Sequence, residues 1–227
     1  MEKIIKEKSK TALILCIYRR LENLSSTFIQ INNQTNKDFD FYISNNTDGK
    51  KDKKIFSIAE NNLLYNNFKI YNHRNEYKPF SRFFIARDLA KEGYEKVIFI
   101  DDDEIIPKTF IQECLDQYED KTLKSFYAHK IDKNYWRKEK LLPGEIGQYA
   151  GTGGLVCSTE IFLDDEFFEC PKEYYIIDDL WLSYYAVKKI GYTIKLLETS
   201  IEFIRDTKAT AMFLRKEKQD FTEKYLL

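Results

Sequence analysis

VIFIDDD, residues 97–103, is the stretch from which the fold is read. Val97, Ile98, Phe99 and Ile100 are apolar and either β-branched, aromatic or both flanked by such residues, and a run this short reads as a buried strand. Asp101, Asp102 and Asp103 then stand where that strand leaves its sheet, the edge at which open α/β sheets bind ligands. Three like charges within about 10 Å repel one another, so a fold that keeps them together calls for a cation. Carboxylate oxygens suit Mg²⁺ or Mn²⁺, and through such a metal a phosphate group.

The alternation around this strand extends the reading. Thr11 to Tyr18 is expected as a first strand and Leu21 to Gln34 as a helix, with Leu21, Leu24, Phe28 and Ile31 on its apolar face. Asp40 to Ser44 reads as a second strand, closed by the turn-forming run from Asn45 to Gly49, and Phe68 to Tyr71 as a third. Lys50 to Lys54 reads as a solvated charge run. Ser81 to Glu92 is expected as a helix capped by Gly93, and it leads into Lys96 to Ile100. Strands and helices that alternate in this way predict a mostly parallel sheet with helical crossovers, a Rossmann-like nucleotide-binding unit.

The second half reads differently. Ser125 to Ile131 and Gln148 to Cys157 are expected as strands in a mixed order, with a loop at Pro143-Gly144 between them. Asp178 to Lys189 has helical spacing at Leu180, Leu182, Tyr185, Ala186 and Ile190, and Gly191 ends it before a strand over Tyr192 to Leu197. Trp181 belongs to that apolar pattern and reads as core, and Lys208 to Leu227 reads as a surface helix or a partly mobile end.

Composition narrows the functional classes. The 227 residues suit a single domain with a substantial core. With 36 basic against 37 acidic residues there is no global field to attract nucleic acid. Cys16, Cys114, Cys157 and Cys170 are widely spaced without a CxxC, which suggests buried free thiols in a reducing, cytoplasmic setting. No apolar stretch approaches the roughly 20 residues that span a bilayer, which leaves a soluble protein with room for contact at a membrane surface. Oligomeric state is not legible.

A second acidic pair, Asp178-Asp179, opens the later helix, where carboxylates also serve as caps. Between the two acidic motifs lies Gly151-Thr152-Gly153-Gly154, where missing side chains let a ligand approach the backbone. Thr152, Gly153, Gly154 and Asp178 are therefore candidates for an acceptor floor. A sugar leaving a nucleotide diphosphate needs its charge neutralised, which a carboxylate-held metal does as a Lewis acid. A hydroxyl attacking that sugar must lose a proton to a further carboxylate, for which the second pair offers candidates.

The order of these motifs resembles the GT-A glycosyltransferases, particularly the inverting family 2. ALILCIYRR resembles the family's first strand, DFDFYISNNTDG its second, and the helix from Ser81 to Asp88 the one before the DxD motif. VIFIDDDEIIP resembles the strand with its DxD, GTGGLVCSTEIF the glycine-containing strand, and YYIIDDLWLSYYAVKKIGYTI the E-D motif with its helix. The resemblance covers roughly residues 10 to 200 and departs in having D-D for E-D and Ser44-Asn45 where relatives carry an aspartate. It implies an α/β GT-A fold with a central, mostly parallel mixed sheet flanked by helices. The halves implied are residues 1–103 for nucleotide and 104–207 for acceptor, with a helical tail at 208–227.

The resemblance further implies a UDP-sugar donor, a glycan or glycoconjugate acceptor, and Mn²⁺ or Mg²⁺ held principally by Asp103, with Asp101 or Asp102 at the ribose or orienting the metal. Asp179 becomes the general base, Tyr18 and Asn45 lie along the nucleobase, and Arg82 contacts the base or the diphosphate. Two alternatives stand beside it. One is a non-catalytic nucleotide- or carbohydrate-binding module on the same fold. The other is a haloacid-dehalogenase-like phosphatase, against which Glu104-Ile105 follows the aspartates and no later G-D-x-x-D appears.

Overall fold

Every residue of the strand Thr11–Ile17 is buried, as expected of a strand covered on both faces. In the computed structural model, which describes residues 9–18, 20–47, 49–64, 68–73, 76–204 and 215–227, it is an interior strand of a seven-stranded sheet. In chain order the strands are β1 (Thr11–Ile17), β2 (Asp40–Asn45), β3 (Lys69–Asn72), β4 (Lys96–Asp101), β5 (Glu104–Ile105), β6 (Thr122–Ser125), β7 (Ala128–Lys130), β8 (Glu139–Lys140), β9 (Tyr149–Ala150), β10 (Leu155–Ser158), β11 (Thr193–Leu196) and β12 (Glu202–Phe203). The helices are α1 (Leu24–Asn32), α2 (Asp52–Asn62), α3 (Ser81–Lys91), α4 (Phe110–Asp116), α5 (Asp178–Tyr184) and α6 (Arg215–Phe221). Across the main sheet the order is β11-β6-β10-β4-β1-β2-β3, parallel throughout except for β10, which runs against both its neighbours. This is the mostly parallel α/β sheet of the GT-A fold expected from the sequence.

Alternate residues of the central strands feed two cores. Ala12, Ile14, Val97 and Phe99 face a core closed by α3 and α5, while Leu13, Leu15, Ile98 and Ile100 face one closed by α1, α2 and α4. The result is a three-layer sandwich with helices on both faces. The register pairs Cys16 with Asp101 and Ile17 with Asn45, so the carboxyl ends of β1, β2 and β4 meet at one edge.

Several elements differ from expectation. The charge run at Lys50 to Lys54 is the approach to and first turn of α2, which is held by Ile55 and Ala59, four apart and buried against α1. The expected strand from Ser125 to Ile131 breaks into β6 and β7, and the one from Gln148 to Cys157 into β9 and β10. Both break at one level, where Phe126 N–H donates to Gly154 O (2.9 Å) and Gly151 N–H to Tyr127 O (3.0 Å). There the chain leaves the main sheet for a small sheet of order β8-β7-β9. Gly154 makes that bend at φ +65°, a conformation that costs glycine least.

Helix α5 stops at Tyr184 and continues as a π turn over Tyr185–Lys189 before Gly191 at φ +70°. Trp181 is core, as expected, and donates its indole N–H to Phe167 O (2.9 Å). The tail splits in two. Residues 208–214 lie outside the described part, whereas α6 is docked, with Phe221 packed against Tyr174, Trp181 and Tyr184 and Leu226 of the following turn buried in the same core. All four cysteines are buried and free. No helix among the described residues is long and apolar enough to cross a membrane.

Candidate active site

Pleating sends the three aspartates in different directions as β4 ends. Asp102 turns inward, accepting from Tyr18 N–H (2.8 Å) and Arg20 Nη1 (3.1 Å), so its carboxylate fastens the loop after β1. Asp101 and Asp103 stay partly exposed, at 32% and 24% of their side chains. Asp103 is ion-paired to Arg20 at 3.0 Å.

Asp101 is ion-paired across the site. Arg82, near the start of α3 and only 3% exposed, places Nη1 2.9 Å from Asp101 Oδ1 and Nε 3.1 Å from Asp178 Oδ2. One buried guanidinium thus ties the end of β4 to the start of α5, and it also donates to Pro79 O (3.1 Å). The next carboxylate, Asp179, accepts a hydrogen bond from Tyr149 Oη on β9. Ser183 joins the same two elements, accepting from Ala150 N–H (2.9 Å) and donating to Asp179 O (2.7 Å).

Asp101 and Asp179 face a common cavity of about 430 Å³, floored by Gly151, Thr152 and Gly153. Gly153 packs closely there. A Cβ on it would lie 2.0 Å from Glu104 Oε1 and 3.0 Å from Asp101 Oδ2. Glu104 is itself 2% exposed, accepts from Asp101 N–H through Oε2 (3.0 Å), and leaves Oε1 buried without a hydrogen-bond partner.

Charge in this corner is unbalanced. Burial pushes the Asp102 carboxyl up to about 7 despite the Tyr18 N–H and Arg20. Burial, then repulsion from Asp101, raises Asp103 and Glu104. Burial also raises Asp178 to about 7 against the pull of Arg82, because Asp179 and Asp101 add negative charge around a single guanidinium. A hard cation fits this surplus and the unpartnered Glu104 oxygen. Among the described residues no three His, Cys, Asp or Glu side chains gather to enclose one alone, so the fit is to a cation that completes its shell with phosphate and water.

The structure therefore brings Asp101, Thr152, Gly153 and Asp179 to one cavity, with Arg82 and Asp178 buried behind it. Tyr18, Asn45, Asp102, Asp103 and Gly154 are not part of its wall. Asn45 is fully buried, its amide donating to Asp52 (2.8 Å) and Asn72 (2.7 Å) at the ends of neighbouring elements. The sequence reading missed Glu104, Tyr127, Tyr135, Lys138, Tyr149 and Lys218, which all line the cavity. Glu104 had a signal, since it directly extends the acidic run. The others are ordinary aromatics and lysines that only the small sheet and α6 bring together.

The fold is shared with S. aureus TarS. The structure of TarS 1-349 in complex with UDP matches with a TM-score of 0.53 over 84% of this chain and 59% of that one, at 14% sequence identity. A second structure of S. aureus TarS matches at 0.53 over 82% of this chain and 35% of that one, at 13% identity. The present chain thus spans 59% of the length of the shorter TarS structure and 35% of the longer. No family profile matches the sequence, and no curated protein matches it.

Proposed function

We propose that the protein is an inverting glycosyltransferase that moves a sugar from a UDP-sugar to a hydroxyl of a glycan or glycoconjugate. The observation that carries this reading is the pair of acidic motifs bridged by Arg82 at one cavity, on a fold shared with a UDP-bound structure.

In this reading Asp179 is the general base. Tyr149 holds its carboxylate toward the cavity by donating a hydrogen bond to it. The attacking hydroxyl lies over Gly151, Thr152 and Gly153, where the absence of a Cβ at 153 leaves room for the Glu104 carboxylate beside Asp101. Arg82 keeps Asp101 and Asp178 a fixed distance apart and holds both halves of the site in register. Asp178 supports the acceptor side from behind the wall. Tyr18 and Asn45 shape the loops after β1 and β2 against which the nucleobase lies, and Asp102 fixes the first of these loops.

Asp101, on the cavity wall, and Asp103, outside that wall, are the residues that would hold Mn²⁺ or Mg²⁺, with Glu104 beside Asp101. When bound, the metal supplies neutralisation of the diphosphate as the sugar leaves. UDP release from a panel of UDP-sugars, with Mn²⁺ and then with excess chelator, tests the reading. Metal-dependent release that rises when a glycan acceptor is added is expected. A protein that binds no UDP and releases none from any donor contradicts it.

A further inference from the structure

The cavity has a second end. Beyond Asp179 it is lined by Tyr135, Lys138, Tyr149 and Lys218, and a further cavity of about 240 Å³ adjoins it. The two share Tyr127 and Phe203, whose rings meet edge to face at 5.1 Å and are 37% and 40% exposed. Lys140 lines the second cavity beside Phe126.

These lysines are not an ordinary solvated face. Lys138 Nζ stands 3.7 Å from the Tyr135 ring centre and Lys140 Nζ 3.8 Å from that of Phe126, so both ammonium groups lie on the rings that line the cavities. Lys218 Nζ reaches in from α6 to Tyr135 Oη at 3.4 Å. Among the described residues none of the three has a carboxylate within 4.0 Å, whereas Lys130 on the neighbouring strand β7 and Lys216 on α6 are paired with Glu145 and Asp220. Lys138 and Lys140 are thus left without an acid in contact, while Lys218 feels the negative charge of Asp179 in the same cavity. Rings and cations interleaved along a trench match a ligand of sugar rings carrying negative charge.

We infer that the acceptor is an extended anionic glycan, its rings on Tyr127, Tyr135 and Phe203 and its acidic groups at Lys138, Lys140 and Lys218. The inference rests on the transferase reading for the word acceptor, and it deepens that reading by naming the substrate class. The acidic end, with Asp101 and Glu104, is left to the donor and its metal. The second cavity adjoins the first at Tyr127 and Phe203, so a ligand that fills both is longer than a single sugar.

Calorimetry on the full chain tests this with tetragalacturonate, phosphorylated maltotetraose and neutral maltotetraose as probes. The first two distinguish carboxylate from phosphate as the preferred charge. At least one should bind about tenfold tighter than the neutral probe and weaken as salt is added. K138A/K140A should lose that preference while K138R/K140R retains it, with the melting temperature of each variant reporting its folding. UDP with Mn²⁺ and the charged probe should bind together without competing. Equal binding of charged and neutral probes, an unaltered preference in K138A/K140A, or competition with UDP overturns the inference. A protein that binds the charged probes but neither binds UDP nor turns over UDP-sugars keeps the anionic site and sinks the transferase reading.

Discussion

Arg82 carries the structural burden of the site at the level of single residues. Its one positive charge lies between Asp101 and Asp178, out of water, with Asp179 adjacent. Removing one partner of a buried ion pair leaves uncompensated charge and typically costs about 3–5 kcal/mol. R82A should therefore lower unfolding free energy by about that amount in urea titrations. R82K should fall well short of wild type, because an ammonium lacks the planar fork that spans two carboxylates. An R82A protein as stable as wild type would show that the bridge is not formed. Gly153 gives a second prediction. In G153A the Glu104 carboxylate must swing away and lose its bond to Asp101 N–H, at about 1–3 kcal/mol. The same change made in E104A should cost less, and a double-mutant cycle in thermal unfolding measures the difference.

At the scale of elements, the small sheet and α5 place Tyr149 on Asp179, and His129 on β7 sits in that same sheet. Burial, assisted by Lys138 and Lys140, lowers the affinity of His129 for a proton below its ordinary value of 6.5. The unfolded chain then binds the proton more tightly than the folded one. The stability this histidine allows is complete above pH 6.5 and is lost as pH falls below it. Wild type should lose stability relative to H129Q between neutral pH and pH 5, read as the difference between their melting temperatures. A constant difference would mean that His129 titrates as it does in water.

The elements also show what a linear reading can reach. β4 with its aspartates, α3 and α5 were visible because apolar period, caps and charge all agreed along a short stretch. Helix α2 was hidden because its buried stripe is as narrow as Ile55 and Ala59 within a lysine-rich run. The broken strands were hidden because nothing local says that Phe126 and Gly154 will meet and bend together. The same holds within the site. The carboxylates were legible from their spacing, whereas the Arg82 bridge and the lysine and tyrosine wall depend on contacts between elements far apart in the chain.

For the whole molecule, the donor is expected to join the two halves. A ligand that binds only the folded state at 100 times its Kd adds about 2.7 kcal/mol. UDP with Mn²⁺ should therefore raise the melting temperature more than UDP alone, and the increment should shrink in D103N. An equal shift with and without Mn²⁺ would remove the metal from the account.

The central claim is that Asp179 faces the donor across one cavity and takes the proton of the acceptor. Steady-state UDP release by D179N, beside wild type with the same donor and acceptor, tests it most directly. The account predicts kcat lower by about 10²–10⁴-fold with the donor KM little altered. Wild-type turnover in D179N would contradict it.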